Sequence, residues 1–131
     1  MSQEYRHSNT SVSLINYHFV WIPRRRRSVL KGAIVKRLKD LLHKKTKELD
    51  IEIIALEIMP DHVHLFVNCL PVIAPYQIMF RLKGFTARIL RKEFPELMRM
   101  PSMWTTSYFV STAGNVSGET IKKYIEAQSK K

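Results

Sequence analysis

Cysteine is almost missing from this chain of 131 residues, with Cys69 the single example. One thiol excludes an internal disulfide and fits a reducing compartment; in its apolar run it reads as core rather than nucleophile. Long apolar runs are missing too. The longest, Ile51 to Met59, is interrupted by charges and is too short to span a bilayer. Met1 to Thr10 is polar, so no signal peptide is expected there. No internal repeat or low-complexity linker divides the sequence, and one domain over residues 1–131 is expected. Acidic residues are scarce: 11 Asp+Glu stand against 22 Lys+Arg, a net charge of +11. That excess points to a polyanion, nucleic acid before an anionic membrane. The expected location is the cytoplasm, in association with the nucleoid.

What is present is 45% hydrophobic content, enough for one core. Residues 13 to 22 are rich in aromatic and β-branched types and read as a strand ending at Pro23. Residues 29 to 49 carry Leu30, Ile34, Leu38, Leu41, Leu42 and Leu49 at helical spacing. Two β-rich runs follow, Ile51 to Met59 and His62 to Leu70, joined by Pro60-Asp61 as a hairpin turn. Helical spacing returns over 75 to 93 through Ile78, Leu82, Phe85, Ile89 and Leu90. Pro95 to Met103 reads as loop. Trp104 to Ser111 reads as a fourth strand ended by Gly114 and Asn115, and a last helix runs from about Ser117, a plausible N-cap, to Gln128. The order β-α-β-β-α-β is that of an α+β, ferredoxin-like antiparallel sheet, with an additional C-terminal helix.

Residues 60 to 66, Pro-Asp-His-Val-His-Leu-Phe, carry the most informative chemistry. On a strand, alternate side chains share a face, so His62 and His64 lie side by side with Val63 turned away. With a two-residue turn, Met59 pairs with His62 and Glu57 with His64, which brings Glu57, His62 and His64 to one face. Two neutral imidazoles and a carboxylate are a grip for a divalent metal; Mg²⁺ or Mn²⁺ suits a phosphate substrate, and Zn²⁺ is not excluded. His18, on the neighbouring first strand, is placed to orient a ligand or approach the ion, and Asp61 to do the same from the turn. The bland alternative is a surface histidine pair, or imidazoles satisfied by hydrogen bonds.

In the last helix Ile121, Tyr124, Ile125 and Gln128 share one face. Tyr124 reads either as a core tyrosine with its hydroxyl bonded or as a covalent nucleophile, its phenolate attacking phosphorus while Gln128, one turn on, lends its carbonyl oxygen to the ion. Arg24, Arg25, Arg26 and Arg27, with Arg81, Lys83, Arg88 and Lys92 of the second helix, are the expected phosphate contacts; a solvated helix face is the alternative for any one of them.

Five segments in order carry a resemblance: Tyr17-His18-Phe19-Val20-Trp21; Met59-Pro60-Asp61-His62-Val63-His64-Leu65; Lys83-Gly84 with Arg88; Trp104 with Ser107 to Thr112; and Tyr124-Ile125-Glu126-Ala127-Gln128. The chain resembles the single-tyrosine HUH transposases of the smallest insertion sequences, the insertion-sequence-two-hundred group. The resemblance implies that His62 and His64 are the metal ligands, Gln128 an additional ligand and Tyr124 the nucleophile. It also implies a homodimer, with the active site completed in trans in some members, that binds DNA hairpins. Single strands would be cut and rejoined at insertion-sequence ends through a 5′-phosphotyrosine, without ATP. Two positions depart from the family pattern: Arg24 to Arg27 stands for the usual Lys-Tyr-Arg-Arg, and Phe85-Thr86-Ala87 precedes Arg88 where two serines are common. The rival readings are a non-catalytic nucleic-acid-binding module, such as a domesticated relative, and a metal-dependent phosphodiester hydrolase using water.

Overall fold

The computed structural model describes residues 4–112 and, beyond them, Lys123, Tyr124, Glu126 and Ala127. Gly114, Asn115, Ser117, Ile121, Ile125 and Gln128 lie outside the described residues. The elements are β1 (Arg6–His7), β2 (Val12–Ser13), β3 (Ile15–Trp21), α1 (Ala33–Glu48), β4 (Glu52–Met59), β5 (His62–Cys69), α2 (Pro75–Glu93) and β6 (Phe109–Ser111). Single 3-10 turns occupy Arg24–Arg26 and Pro95–Arg99. The main sheet has the order β4-β5-β3-β6 with every pair antiparallel. Counted from β3, that is second-third-first-fourth, the ferredoxin-like arrangement expected from the element order.

The alternation of β5 explains why the sheet has one dry side. Val63, Leu65, Val67 and Cys69 are fully buried, whereas His62, His64 and Phe66 between them are half-buried. Phe19 and Trp21 of β3 join the buried set and pack with Ile34, Leu38, Leu41 and Leu42 of α1 and with Ile78, Met79, Leu82 and Leu90 of α2. Each such side chain contributes about 1.5–3 kcal/mol by leaving water, which makes this layer the source of the fold's stability. Both helices therefore lie on one side of the sheet, and the histidines face the other. Cys69 belongs to the core, and burial pushes its thiol up to about 12, which keeps it protonated. Among the described residues no helix is long and apolar enough to cross a membrane.

The hairpin register is the expected one: Met59 opposes His62, Glu57 opposes His64, and Ile58 opposes Val63. Further along, Ile53 opposes Val67 and Ala55 opposes Phe66, so Ile54 is an extra residue, a bulge. On the other flank of β5, Val20 of β3 opposes His64 and His18 opposes Phe66; across β3, Phe109 opposes Val20 and Ser111 opposes His18. The outer face thus carries two rows, Glu57–His64–Val20–Phe109 and Ala55–Phe66–His18–Ser111.

Helix α1 starts later than expected, at Ala33 with Leu30 outside it, and two other elements differ from expectation. A small hairpin, β1 with β2, precedes the sheet; strands of two residues are too short to leave an alternating pattern. Arg6 fastens it, donating from Nε to Asn68 Oδ1 at 2.6 Å and from Nη2 to the Asp50 carbonyl at 2.9 Å. The fourth strand is shorter than the Trp104 to Ser111 run: only Phe109–Ser111 pairs with β3, and Trp104 makes a lone bridge to Pro23. The carbonyls of Thr105 and Ser107 are instead taken by the Lys83 ammonium, at 2.6 and 3.1 Å, which turns the chain out of the ladder.

Candidate active site

Position along β5 brings His62 and His64 to the outer face, and each imidazole has a neighbour of its own. His62 Nδ1 lies 2.9 Å from Asp61 Oδ1, so the carboxylate accepts from Nδ1–H and Nε2 is the ring nitrogen left for a ligand. Asp61 is itself steadied by Arg26, whose Nε is 3.5 Å from Oδ2. His64 Nε2 lies 2.7 Å from His18 Nε2. Burial lowers both of these histidines below their ordinary pKa; His64 is lowered further by the nearby His18, against a smaller opposing pull from Glu57. Both rings are therefore neutral near pH 7, one donating Nε2–H and the other offering its lone pair. Nδ1 of His18 is buried with no hydrogen-bond partner among the described residues.

Glu57 is exposed and opposite His64, as its register requires. A shallow cavity of about 400 Å³ opens over this face, lined by His18, Glu57, His64, Phe66 and the Ile54-to-Leu56 stretch of β4. Among the described residues no three His, Cys, Asp or Glu side chains converge tightly enough to hold an ion by themselves. His62 is drawn toward Asp61 and His64 toward His18, which spreads the donors along the face. The chemistry of the donors still suits a divalent cation: two imidazoles, one with its other nitrogen held by a carboxylate, beside an exposed carboxylate.

Tyr124 is helical, as are Lys123, Glu126 and Ala127. Its ring packs on Val20 and Ile22, which are fully buried, and lies 6.0 Å from the Phe109 ring at a tilt of 58°. Val20 is the residue opposite His64, so the phenol, resting on β3, and the imidazole, on β5, occupy the same face of the sheet. The Tyr124 hydroxyl is 3.3 Å from Ser107 Oγ. Burial raises its pKa, and the Ser107 hydrogen bond partly offsets that rise. Gln128 lies outside the described residues, so its place relative to His64 is not part of this geometry.

The expected phosphate contacts divide into three groups. Arg25, Arg27, Arg81, Arg88 and Lys92 are exposed or partly so, with their side chains at the surface. Arg24 and Arg26 are partly committed within the protein, Arg24 Nη1 donating to Ser102 Oγ at 3.3 Å and Arg26 meeting Asp61. Arg25 and Arg26 both take left-handed backbone angles, with φ of 58° and 54°. Lys83 points inward: its ammonium is taken up by two backbone carbonyls, and burial pushes its pKa down to about 8. In this arrangement the Lys83 ammonium braces the chain's own backbone. The serine at 107 was not singled out as a site residue from the sequence, and no spacing signal would have linked it to Tyr124.

The family described as Transposase IS200 like matches residues 11–128, nearly the whole chain. The chain belongs to the IS200-like transposases. The ISDra2 transposase TnpA of Deinococcus radiodurans is 34% identical over 120 residues, which cover 89% of this chain and 86% of that protein. The transposase for insertion sequence element IS200 of Salmonella typhimurium is 28% identical over 115 residues, 86% of this chain and 75% of the relative. Among solved structures, a Deinococcus radiodurans chain assigned as a transposase superposes with a TM-score of 0.87 at 32% identity, covering 94% of this chain and 97% of that one. A REP-associated tyrosine transposase bound to a REP hairpin gives a TM-score of 0.55 at 17% identity, over 98% and 70% of the two chains. At that identity the likeness speaks for the fold alone.

Proposed function

We propose that this transposase cleaves and rejoins single-stranded DNA at insertion-sequence ends, with Tyr124 as the nucleophile. The phenol gives up its proton as its oxygen attacks a backbone phosphorus, the bond to the 3′-oxygen breaks and that oxygen takes up a proton, and the 5′-phosphate remains esterified to the tyrosine. Attack by a free 3′-hydroxyl on that ester reverses the exchange and joins a new strand. One phosphodiester replaces another at each step, so no ATP is consumed. The observation that carries this reading is the shared face: Tyr124 packs on Val20, directly across the register from His64.

His62, His64, Glu57 and Gln128 are the residues that would hold the cofactor. Bound Mg²⁺ or Mn²⁺ would supply polarisation of the non-bridging phosphate oxygens. Asp61 fixes the tautomer of His62, and His18 orients His64. The exposed arginines of the 24–27 turn and of α2 take the phosphates of a strand carrying a hairpin end. The excess of 11 positive charges supports that partner. The protein acts as a homodimer in the cytoplasm, at the nucleoid, with Tyr124 serving either its own subunit's site or the partner's.

The test uses labelled single-stranded DNA with an imperfect hairpin, incubated with Mg²⁺ or Mn²⁺ and resolved on a denaturing gel. Label should migrate with the polypeptide, and should be lost in Tyr124→Phe and in His64→Ala. Cleavage that persists in Tyr124→Phe would point to a hydrolase using water; retention of the hairpin with no cleavage by the parent would point to a binding module. Mixed dimers of His64→Ala and Tyr124→Phe subunits should stay inactive in cis, and recovery of activity would assign the tyrosine to the partner's site.

A further inference from the structure

We propose that Lys83 is a positioning residue for the nucleophile: by holding two backbone carbonyls it fixes the turn whose serine hydroxyl sets the place of the Tyr124 phenol. The inference rests on the reading of Tyr124 above. Lys83 leaves α2 between the fully buried Leu82 and Thr86, and its Nζ donates to the Thr105 carbonyl at 2.6 Å and the Ser107 carbonyl at 3.1 Å. An ammonium has three donors and no acceptor, so this one cation satisfies both carbonyls of a segment that has left the β ladder.

The same turn is tied at its start by the Thr105 amide, which donates to the Ile22 carbonyl at 3.1 Å. Inside it, Thr105 Oγ1 is 3.3 Å from both the carbonyl and the hydroxyl of Ser107. Ser107 Oγ then meets Tyr124 Oη at 3.3 Å. From ammonium to phenol the path runs through one residue, Ser107. No other described side chain is hydrogen-bonded to the Tyr124 hydroxyl in this arrangement; its ring otherwise rests on apolar Val20, Ile22 and Phe109. Apolar packing is non-directional and lets a ring slide. A hydrogen bond at the hydroxyl fixes the reacting atom, and a shift of about 1 Å in such an atom can cost about 100-fold in rate. Burial pushes Lys83 down to about 8, the ordinary consequence of placing a cation away from water, and the two carbonyls offset that penalty.

The experiment uses the full chain with 3-fluorotyrosine in place of its five tyrosines, the resonance of position 124 being assigned by its loss in Tyr124→Phe. Single-turnover capture of labelled hairpin DNA at saturation and DNA affinity by anisotropy are measured beside it. Lys83→Met should move the assigned resonance, slow capture by about 10-fold or more, and leave affinity within about twofold. Ser107→Ala should move the same resonance. An unmoved resonance with an unchanged capture rate overturns the proposal. So does a weaker affinity with a shallower salt dependence and an unchanged rate at saturation, which would make Lys83 a phosphate ligand. If Lys83→Met does not fold, Ser107→Ala decides, and an unmoved resonance there overturns it equally. The resonance does not depend on turnover, so capture persisting in Tyr124→Phe would sink the nucleophile reading separately.

Discussion

Replacing Thr86 by valine removes one oxygen from the middle of the molecule and keeps nearly the same shape. That hydroxyl is fully buried, donates to the Leu82 carbonyl at 2.8 Å and accepts the indole N–H of Trp104 at 3.1 Å. The Leu82 carbonyl is inside α2 and keeps its helical amide partner. The indole has no such reserve, because Trp104 is 5% exposed and its N–H would be without an acceptor. A buried donor left unpaired costs about 1–3 kcal/mol. For a chain of 131 residues, each kcal/mol moves Tm by roughly 4 °C, so Thr86→Val should lower Tm by roughly 4–12 °C. Thermal unfolding by circular dichroism reads the shift, and hydrogen exchange of the indole proton reads its cause. Thr86→Ser keeps the oxygen and should preserve the slow exchange, losing only about 1 kcal/mol for the missing methyl. A valine variant as stable as its parent, with the indole proton still protected, would refute the argument.

Tyr124→Phe should cost at most about 1 kcal/mol of stability, since phenylalanine keeps the packing on Val20, Ile22 and Phe109 and gives up one neutral hydrogen bond. It should nevertheless abolish covalent capture; a Tm drop beyond roughly 8 °C would make the hydroxyl structural instead. Burial lowers His18 and His64 below 6.5, so the folded state disfavours their protonation. Their stability contribution is then fully present above pH 6.5 and is lost as pH falls from there through the lowered folded values. Mn²⁺ affinity should weaken only as pH falls through and below those lowered folded values, because the folded imidazole stays neutral until then and a protonated one cannot ligate. Calorimetric titration at descending pH checks this, and a flat profile would contradict it. Removing Arg25 and Arg27 together should flatten the plot of log affinity against log salt by about 0.7 for each phosphate no longer neutralised, measured by anisotropy. An unchanged slope would free both from that role.

Much of the scaffold was legible because its patterns are long. The α2 expectation, 75 to 93, coincides with Pro75–Glu93, and the two-residue turn at Pro60-Asp61 placed Glu57 opposite His64 as found. The β1–β2 hairpin, held by one arginine to distant Asn68, left no local pattern to read. Lys83 shows the limit of reading charge: a lysine among basic neighbours on an amphipathic helix looks like a phosphate ligand. Only the tertiary approach of the Thr105 and Ser107 carbonyls reveals its inward course. The departure at Phe85-Thr86-Ala87 is likewise a packing matter, since Thr86 keeps a hydroxyl for Trp104. The shared face of Tyr124 and His64 could not be read from the sequence, because nothing near position 124 specifies which strand the ring will meet.

The bulge at Ile54 decides the address of a charge. If β4 ran without the extra residue from Ile53 opposite Val67, the parity of all that follows would reverse. Leu56 would stand opposite His64, and Glu57 would point at Val63 inside the molecule. An exposed isoleucine on the edge strand is therefore what keeps an acid beside the histidines. Length, more than chemistry, is what drift in this strand must respect: residue exchanges at position 54 are cheap, whereas a single codon deleted there would force either the carboxylate or the turn to move.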